Sequence, residues 1–141
     1  MELKFIDEDM PFWRAEVGRL SLFLGDINFL VSSTNVQQSH EERILARQEL
    51  VKGALGRKLT ILENCLPEGS KYIVLKNMSI ADIAIWRLIG WLSSGILDGV
   101  PIGILEKYPK ITGICLAVDH NPKVQEWIKL TFPKNYSRGN F

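Results

Sequence analysis

The chain has 141 residues, of which 46% are hydrophobic and 23% charged, and its formal net charge is +1. This length suits one domain, or a small domain with an appendage, and is enough to bury a core. Because both signs of charge are spread along the chain, no nucleic-acid or membrane surface is predicted. No apolar run approaches a membrane-spanning length and no secretory leader opens the sequence, so we expect a cytoplasmic protein.

The first predicted domain, residues 1–38, is an incomplete β-α-β unit followed by a linker. Its parts are a strand at 3–6, an acidic turn at 7–11, a helix at 14–25 ending at Gly25, a strand at 27–31 and a polar linker at 32–38. A two-stranded unit of this kind exposes a strand edge. We expect a homodimer, a protein partner or the chain's own tail to cover that edge.

The second predicted domain, residues 39–132, is a helical bundle. Ser39 and Glu42 have the spacing of a capping box, and they begin one long helix that ends before Pro67. Gly53 and Gly56 leave room for close helix approach, at some cost in helix propensity. An apolar stripe at helical spacing predicts the buried face. It comprises Ile44, Val51, Leu55, Leu59, Leu62 and Leu66.

The helix that follows residue 79 is predicted to lie at the centre of the bundle. Ser79 and Asp82 form an S-x-x-D capping box, and Met78 with Ile83 can close a hydrophobic staple over it. Asp82 and Arg87 are the only charges before Gly95, which ends the helix. Apolar residues occupy nearly every side of this helix, so it is expected to be buried. They are Ile80, Ile83, Ile85, Trp86, Leu88, Ile89, Trp91 and Leu92.

Two further helices are predicted after a short helical turn near Ile104. The first spans residues 111–118; the second has Asn121 as cap, Pro122 at its first position, and Trp127 with Ile128 on its inner face. The tail, residues 133–141, is expected to be poorly ordered. The isolated cysteines and histidines lack partners at ligand spacing, so neither a disulfide nor a metal site is predicted, and both cysteines are expected to be small buried apolar residues. These residues are Cys65, Cys115, His40 and His120.

These helices resemble, in order, the all-helical domain of cytosolic glutathione transferases of sigma-like or algal and protist type. The resemblance covers about residues 41–127. It rests on four segments: the capped helix from Ser79, the run Ser94–Pro101, Tyr108-Pro109 and Asn121–Trp127. The opening β-α-β unit, with Arg14-Ala15-Glu16 starting its helix, resembles the beginning of the family's thioredoxin-like half. The implied fold class is mainly α: a glutathione transferase C-terminal-like bundle preceded by a truncated thioredoxin-like β-α-β unit.

The resemblance implies glutathione as co-substrate, small apolar electrophiles as partners, and conjugation or isomerisation as the reaction. In the family a Tyr, Ser or Cys after the first strand favours the glutathione thiolate. Residues 1–20 contain no Tyr, Ser, Thr or Cys, and Asp7, Glu8 and Asp9 would oppose ionisation of a thiol. No proline lies in residues 12–66, where the family has a cis-proline loop. We therefore predict no catalytic residue.

Three residues remain as candidate glutathione contacts: Arg14, Gln38 and Ser39. Gln38 and Ser39 would hold the γ-glutamyl group at a helix N-terminus, where free amides suit a carboxylate; alternatively, Ser39 only caps its helix. Arg14 would contact a bound anion or a missing strand, or it is a solvated residue of the first helical turn. Whether the chain is an enzyme stays open. The alternatives are an impaired glutathione transferase-like protein, a non-catalytic binding or structural module for protein contacts or apolar ligands, and an incomplete gene product.

Overall fold

A computed structural model describes residues 11–37, 39–73 and 77–141, with residues 11–19 as backbone only. The predicted strand at 3–6 lies outside these ranges, and within them the chain contains helices and no strand. The helices are α1 Pro11–Ser33, α2 His40–Lys52, α3 Ala54–Cys65, α4 Ile80–Ser93, α5 Pro109–Asp119 and α6 Pro122–Thr131. Short 3-10 turns at Thr34–Val36 and Ile102–Leu105 lie in the connections.

The prediction of a strand at 27–31 is wrong, because α1 continues through Gly25 and these residues to Ser33. Leu24, Ile27 and Val31 are buried at helical spacing, whereas Phe29 is 72% exposed, which a strand facing the core with residues 27, 29 and 31 would not allow. Gly25 occupies an open position in the helix and does not stop it. The described residues therefore form no sheet edge for a partner to cover.

The predicted long helix after Ser39 is interrupted at Gly53 and forms two helices, α2 and α3. Gly53 has φ −105° and ψ −109°, outside the helical region, and its N–H donates to the carbonyls of Glu49 and Leu50. A Cβ at Gly56 would lie 2.5 Å from the Val51 carbonyl oxygen. The small size of Gly56 thus lets α3 restart against the last turn of α2. The predicted stripe is otherwise correct from Leu55 onward, where its leucines are buried.

Helix α4 lies at the centre of the bundle, as predicted, and packs against α5 and α1. Its capping box is present: the Asp82 carboxylate accepts the Ser79 N–H at 2.7 Å and the Ser79 Oγ–H at 2.6 Å. Trp86 is buried, while Ile80 at the first turn is 53% exposed. After Ser93, Gly95 adopts φ +81°, a conformation that suits a glycine just past a helix end.

Helices α5 and α6 follow the prediction with one correction. The Asn121 side chain accepts the Lys123 N–H at 3.0 Å, and Ile128 is buried. Trp127, predicted on the inner face, is 42% exposed and makes an edge contact with Phe132 at 5.7 Å between ring centroids. Val124 and Ile128, which are one helical turn apart, are the buried residues of α6, so Trp127 lies at the edge of its buried face.

The tail differs from the poorly ordered segment expected from sequence, because its last residues pack against α4. The Asn140 N–H donates to Ser93 Oγ at 3.0 Å, and Phe141 packs against the hydrophobic core. The tail thus adds a hydrogen bond to the Ser93 hydroxyl, which also donates to the Ile89 carbonyl within α4.

Candidate functional site

Ser39 starts α2 and is engaged in its own helix. Its Oγ accepts the Glu42 N–H at 3.1 Å, and its N–H donates to the Glu42 carboxylate at 3.1 Å. This reciprocal pair satisfies two of the donors that a helix N-terminus leaves free. The capping role proposed for Ser39 is therefore present, and a ligand carboxylate would have to compete with Glu42 for the same end of α2.

Helix α1 separates Arg14 from Ser39. Arg14 lies near the start of α1, while Ser39 follows the end of that helix and one short 3-10 turn. At about 1.5 Å per residue, the helical rise puts the Arg14 backbone roughly 30 Å from the end of α1 at Ser33. Gln38 and the side chain of Arg14 lie outside the described residues. The Arg14 backbone therefore lies at the opposite end of α1 from the connection that leads to Ser39.

No described thiol is placed to act as a nucleophile inside the bundle. Cys115 is fully buried on α5, and burial, together with the nearby Asp119 charge, raises the pKa of its thiol far above the usual range. Cys65 is exposed at the last position of α3. Cys115 is thus a core residue, as expected, whereas the same expectation for Cys65 is wrong.

A buried arginine of α2 forms hydrogen bonds to the α1–α2 connection and to the α4–α5 connection. The Arg47 guanidinium donates to Thr34 Oγ1 at 3.0 Å, to Asn35 Oδ1 at 2.9 Å and to the Asp98 carbonyl at 3.1 Å. Burial lowers the pKa of Arg47, and the neighbouring charge of Arg43 lowers it further. All three acceptors are neutral oxygens of the protein itself. Arg47 therefore has a structural role, in which it connects α2 to residues 34–35 and to Asp98.

A second buried polar centre is the Asp119 carboxylate at the end of α5. It accepts the Trp86 Nε1–H at 3.1 Å and two N–H groups of Arg138, at 3.0 and 3.1 Å. Burial alone would raise the pKa of Asp119, but the hydrogen bonds and charge of Arg138 outweigh it and hold that pKa below its usual value. All these contacts are internal, so Asp119 joins the tail to α4 and α5.

Sequence reasoning missed these two centres, although one left a signal. The predicted apolar stripe jumped from Ile44 to Val51, and Arg47 falls in the gap, on the same face of α2. A charge inside an apolar stripe indicates a buried, paired group. Asp119 and Arg138 are 19 residues apart in the chain, and no local pattern pairs them.

Two adjoining depressions form a groove between α2, α3 and the 99–108 connection. The deeper one, with a volume of about 190 Å³, is lined chiefly by apolar atoms of Val51, Leu59 and Ile104, with Tyr108 at one side. The shallower one, of about 380 Å³, shares Val51 and Pro101 with it. The Tyr108 hydroxyl donates to the Gly56 carbonyl at 3.3 Å, and the charged residues Glu106 and Lys107 also line the deeper depression. Its chemistry suits a small apolar ligand.

The part of the chain that the structure describes contains neither a metal-binding cluster nor a membrane-spanning helix. No group of three or more His, Cys, Asp or Glu side chains is arranged to hold a metal ion. No described helix combines the length and the apolar character needed to cross a bilayer.

Comparison with known families accounts for this architecture. Residues 26–130, more than half of the chain, match the family described as Glutathione S-transferase, C-terminal domain. The chain belongs to that family. Neither the curated proteins nor the solved structures give a significant match to the chain. The protein is therefore glutathione transferase-like, with the helical C-terminal domain that the sequence resemblance implied.

The glutathione transferase match begins at residue 26, inside the segment that sequence analysis divided between a helix and a strand. It thus includes the last eight residues of α1, from residue 26 to Ser33. It ends at Leu130, one residue before the end of α6 at Thr131. The family domain and the bundle coincide from the last third of α1 to α6.

Proposed function

We propose that this chain acts as part of a glutathione transferase-like protein whose reaction is the conjugation or isomerisation of small apolar electrophiles with glutathione. The observation that carries the proposal is the family match over residues 26–130, which coincides with a bundle centred on α4. In this proposal the helices supply the apolar, electrophile-side surface. The chain by itself binds glutathione weakly and turns over little.

Weak activity is proposed because residues 1–20 offer no hydroxyl or thiol group that could hydrogen-bond to the glutathione thiolate. Each unit by which an enzyme lowers the glutathione thiol pKa corresponds to about 1.4 kcal/mol. Residues 1–20 include three neighbouring carboxylates, Asp7, Glu8 and Asp9, and no hydroxyl or thiol to lower the pKa of the glutathione thiol. The Ser39 hydroxyl already accepts the Glu42 N–H. Fold membership alone does not transfer activity, which depends on these groups.

The glutathione contacts proposed from sequence keep separate roles. Ser39, with Gln38, would hold the γ-glutamyl carboxylate at the N-terminus of α2, and Arg14 would contact an anion near the start of α1. We treat these as two separate proposals. A sigma-like or algal and protist subtype, a cytoplasmic location and a homodimer belong to the same proposal, on the strength of the family resemblance.

The groove beside Val51 favours a second candidate function, a non-catalytic module that binds apolar ligands. The deeper depression is enclosed by Val51, Leu59 and Ile104 and is rimmed by Glu106 and Lys107. Substituting Val51 by Gln should weaken binding of an apolar fluorescent probe, because an amide in this wall has no partner. Leu45→Gln is the matched control, since Leu45 lies on the same helix with its side chain exposed.

The conjugation proposal is tested by measuring the addition of glutathione to chlorodinitrobenzene with the purified chain. We expect a rate close to the uncatalysed one, and no sharp loss in Ser39→Ala, which should cost about 1 kcal/mol of stability through the cap. Ser33→Ala, at an exposed serine bonded to the Leu30 carbonyl, is the control. Turnover far above background that disappears in Ser39→Ala would show that the glutathione site is intact.

A further inference from the structure

The tail lies in a slot between α4 and the end of α5, and we define this slot by Gly90 and Ser93 of α4 and Asp119 of α5. Four tail residues, 138–141, make the contacts. The slot has a buried carboxylate at one end and a buried hydroxyl at the other, and both are nearly inaccessible to solvent. Buried polar groups of this kind need partners, and the tail supplies them.

The middle of the slot admits only a glycine-to-glycine contact. A Cβ on Gly90 would overlap the Arg138 carbonyl oxygen, and a Cβ on Gly139 would lie 2.6 Å from the Gly90 Cα atom. Gly139 also has φ +140°, a conformation that L side chains rarely adopt. Any side chain at position 139 is therefore excluded both by its own backbone and by the floor of the slot.

The two ends of the slot select the neighbours of that glycine. Arg138 pairs with Asp119 through two N–H groups, a bidentate geometry that a lysine cannot reproduce. Ser93 Oγ donates to the Ile89 carbonyl, which leaves it as an acceptor for the Asn140 N–H. Phe141 closes the contact against the core. The slot thus reads an Arg-Gly-x-Phe pattern.

The tail segment 138–141 is connected to α6 by residues 133–137, whose side chains are exposed. These residues leave α6 in non-helical conformation, and Tyr136 contacts only the partly buried ring of Phe132 among the described aromatic pairs. Segment 138–141 can therefore leave the slot without unpacking a helix. We propose that the α4 slot is a recognition site for an Arg-Gly-Asn-Phe segment, and that the tail of a second copy occupies it when the chain's own tail is out.

A peptide-binding experiment tests the recognition site. Gly139→Val expels the chain's own tail and leaves Gly90 intact, so a fluorescent acetylated peptide, Ser-Arg-Gly-Asn-Phe, should bind it at least about tenfold more tightly than it binds the wild type. The reason is that the tethered tail competes at an effective concentration on the millimolar order. The same peptide with Val in place of Gly should not bind. Equal anisotropy changes for both peptides would overturn the proposal.

Controls separate the slot from general unfolding. Gly113→Ala, on α5 with open space around the glycine, should behave as the wild type. Gly139→Val combined with Gly90→Ala should lose the peptide. If Gly139→Val does not melt cooperatively, Arg138→Glu releases the tail by placing two carboxylates together and takes its place. Failure of both released chains to bind the peptide more tightly than the wild type contradicts the proposal.

Mixing two variants tests exchange between copies. Gly90→Ala leaves a free tail and a blocked slot, whereas Gly139→Val leaves an open slot and a tail that cannot enter one. A one-to-one mixture should sediment as a larger species than either variant alone. Sedimentation of the mixture as the sum of its components would show that the slot accepts only its own tail.

Discussion

Removing the Asp82 carboxylate should destabilise the bundle more than loss of an ordinary helix cap does. Asp82 is inaccessible to solvent, and its second oxygen accepts the Ile73 N–H at 2.8 Å in addition to the bonds from Ser79. Loss of the cap costs about 1 kcal/mol. Leaving the Ile73 N–H without its partner adds about 1–3 kcal/mol. We therefore expect Asp82→Ala to lower the free energy of unfolding by about 3 kcal/mol.

Urea denaturation followed by tryptophan fluorescence measures this change, because Trp86 lies one turn along α4 from Asp82. The corresponding decrease in melting temperature is about 10 °C for a chain of this size. Asp98→Ala is the matched control, since its side chain is 59% exposed, and it should change stability by less than about 0.5 kcal/mol. A loss below about 1 kcal/mol for Asp82→Ala would refute the assignment of Asp82 to both α4 and the preceding connection.

Three further outcomes follow from the described contacts. Gly25→Ala should stabilise the chain by about 0.5–1 kcal/mol in thermal melts, because the position is helical and open; destabilisation would contradict a continuous α1. The stability difference between wild type and Arg138→Gln should be constant from pH 8 to about pH 5 and should shrink below about pH 4. The reason is that Arg138 lowers the pKa of Asp119 in the folded chain. The ionised Asp119 therefore stabilises the fold above its unfolded-state pKa of about 3.9, and this stabilisation is lost as the pH falls through its folded-state pKa. Iodoacetamide should alkylate Cys65 in the folded chain and leave Cys115 unmodified in mass spectra, and rapid loss of both thiols would contradict the burial of α5.

Patterns local to one helix were sufficient to predict the centre of this fold. The Ser79–Asp82 spacing indicated a capped helix, and the apolar residues after it indicated burial; the structure confirms both. Asn121 and Pro122 likewise marked the start of α6. Such signals succeed because a cap and its helix are formed by residues within one turn of each other.

The errors arose where a local signal was ambiguous. Gly25 followed by the apolar run 27–31 is consistent with a helix stop and a strand, and only burial against α3 and α4 decides in favour of a helix. Gly53 was accepted within a helix, although it interrupts one. Both cases depend on packing between distant segments, which the periodicity of one segment does not contain.

The candidate site was less predictable than the fold. Ser39 was placed correctly at the start of α2, yet its neighbours in sequence did not indicate that one helix would continue from Arg14 for roughly 30 Å to Ser33. Asp119 and Arg138 meet only because the tail returns to α4. Contacts between residues far apart in the chain follow from tertiary packing, so they had to be read from the structure.

Calorimetric titration of the purified chain with glutathione tests the central claim most directly. The account predicts binding no tighter than about a millimolar dissociation constant and only a small loss in Ser39→Ala, because the Ser39 Oγ already accepts the Glu42 N–H and the Ser39 N–H already donates to the Glu42 carboxylate. Saturable binding in the micromolar range that Ser39→Ala abolishes would contradict it, and would place an intact glutathione site at the N-terminus of α2.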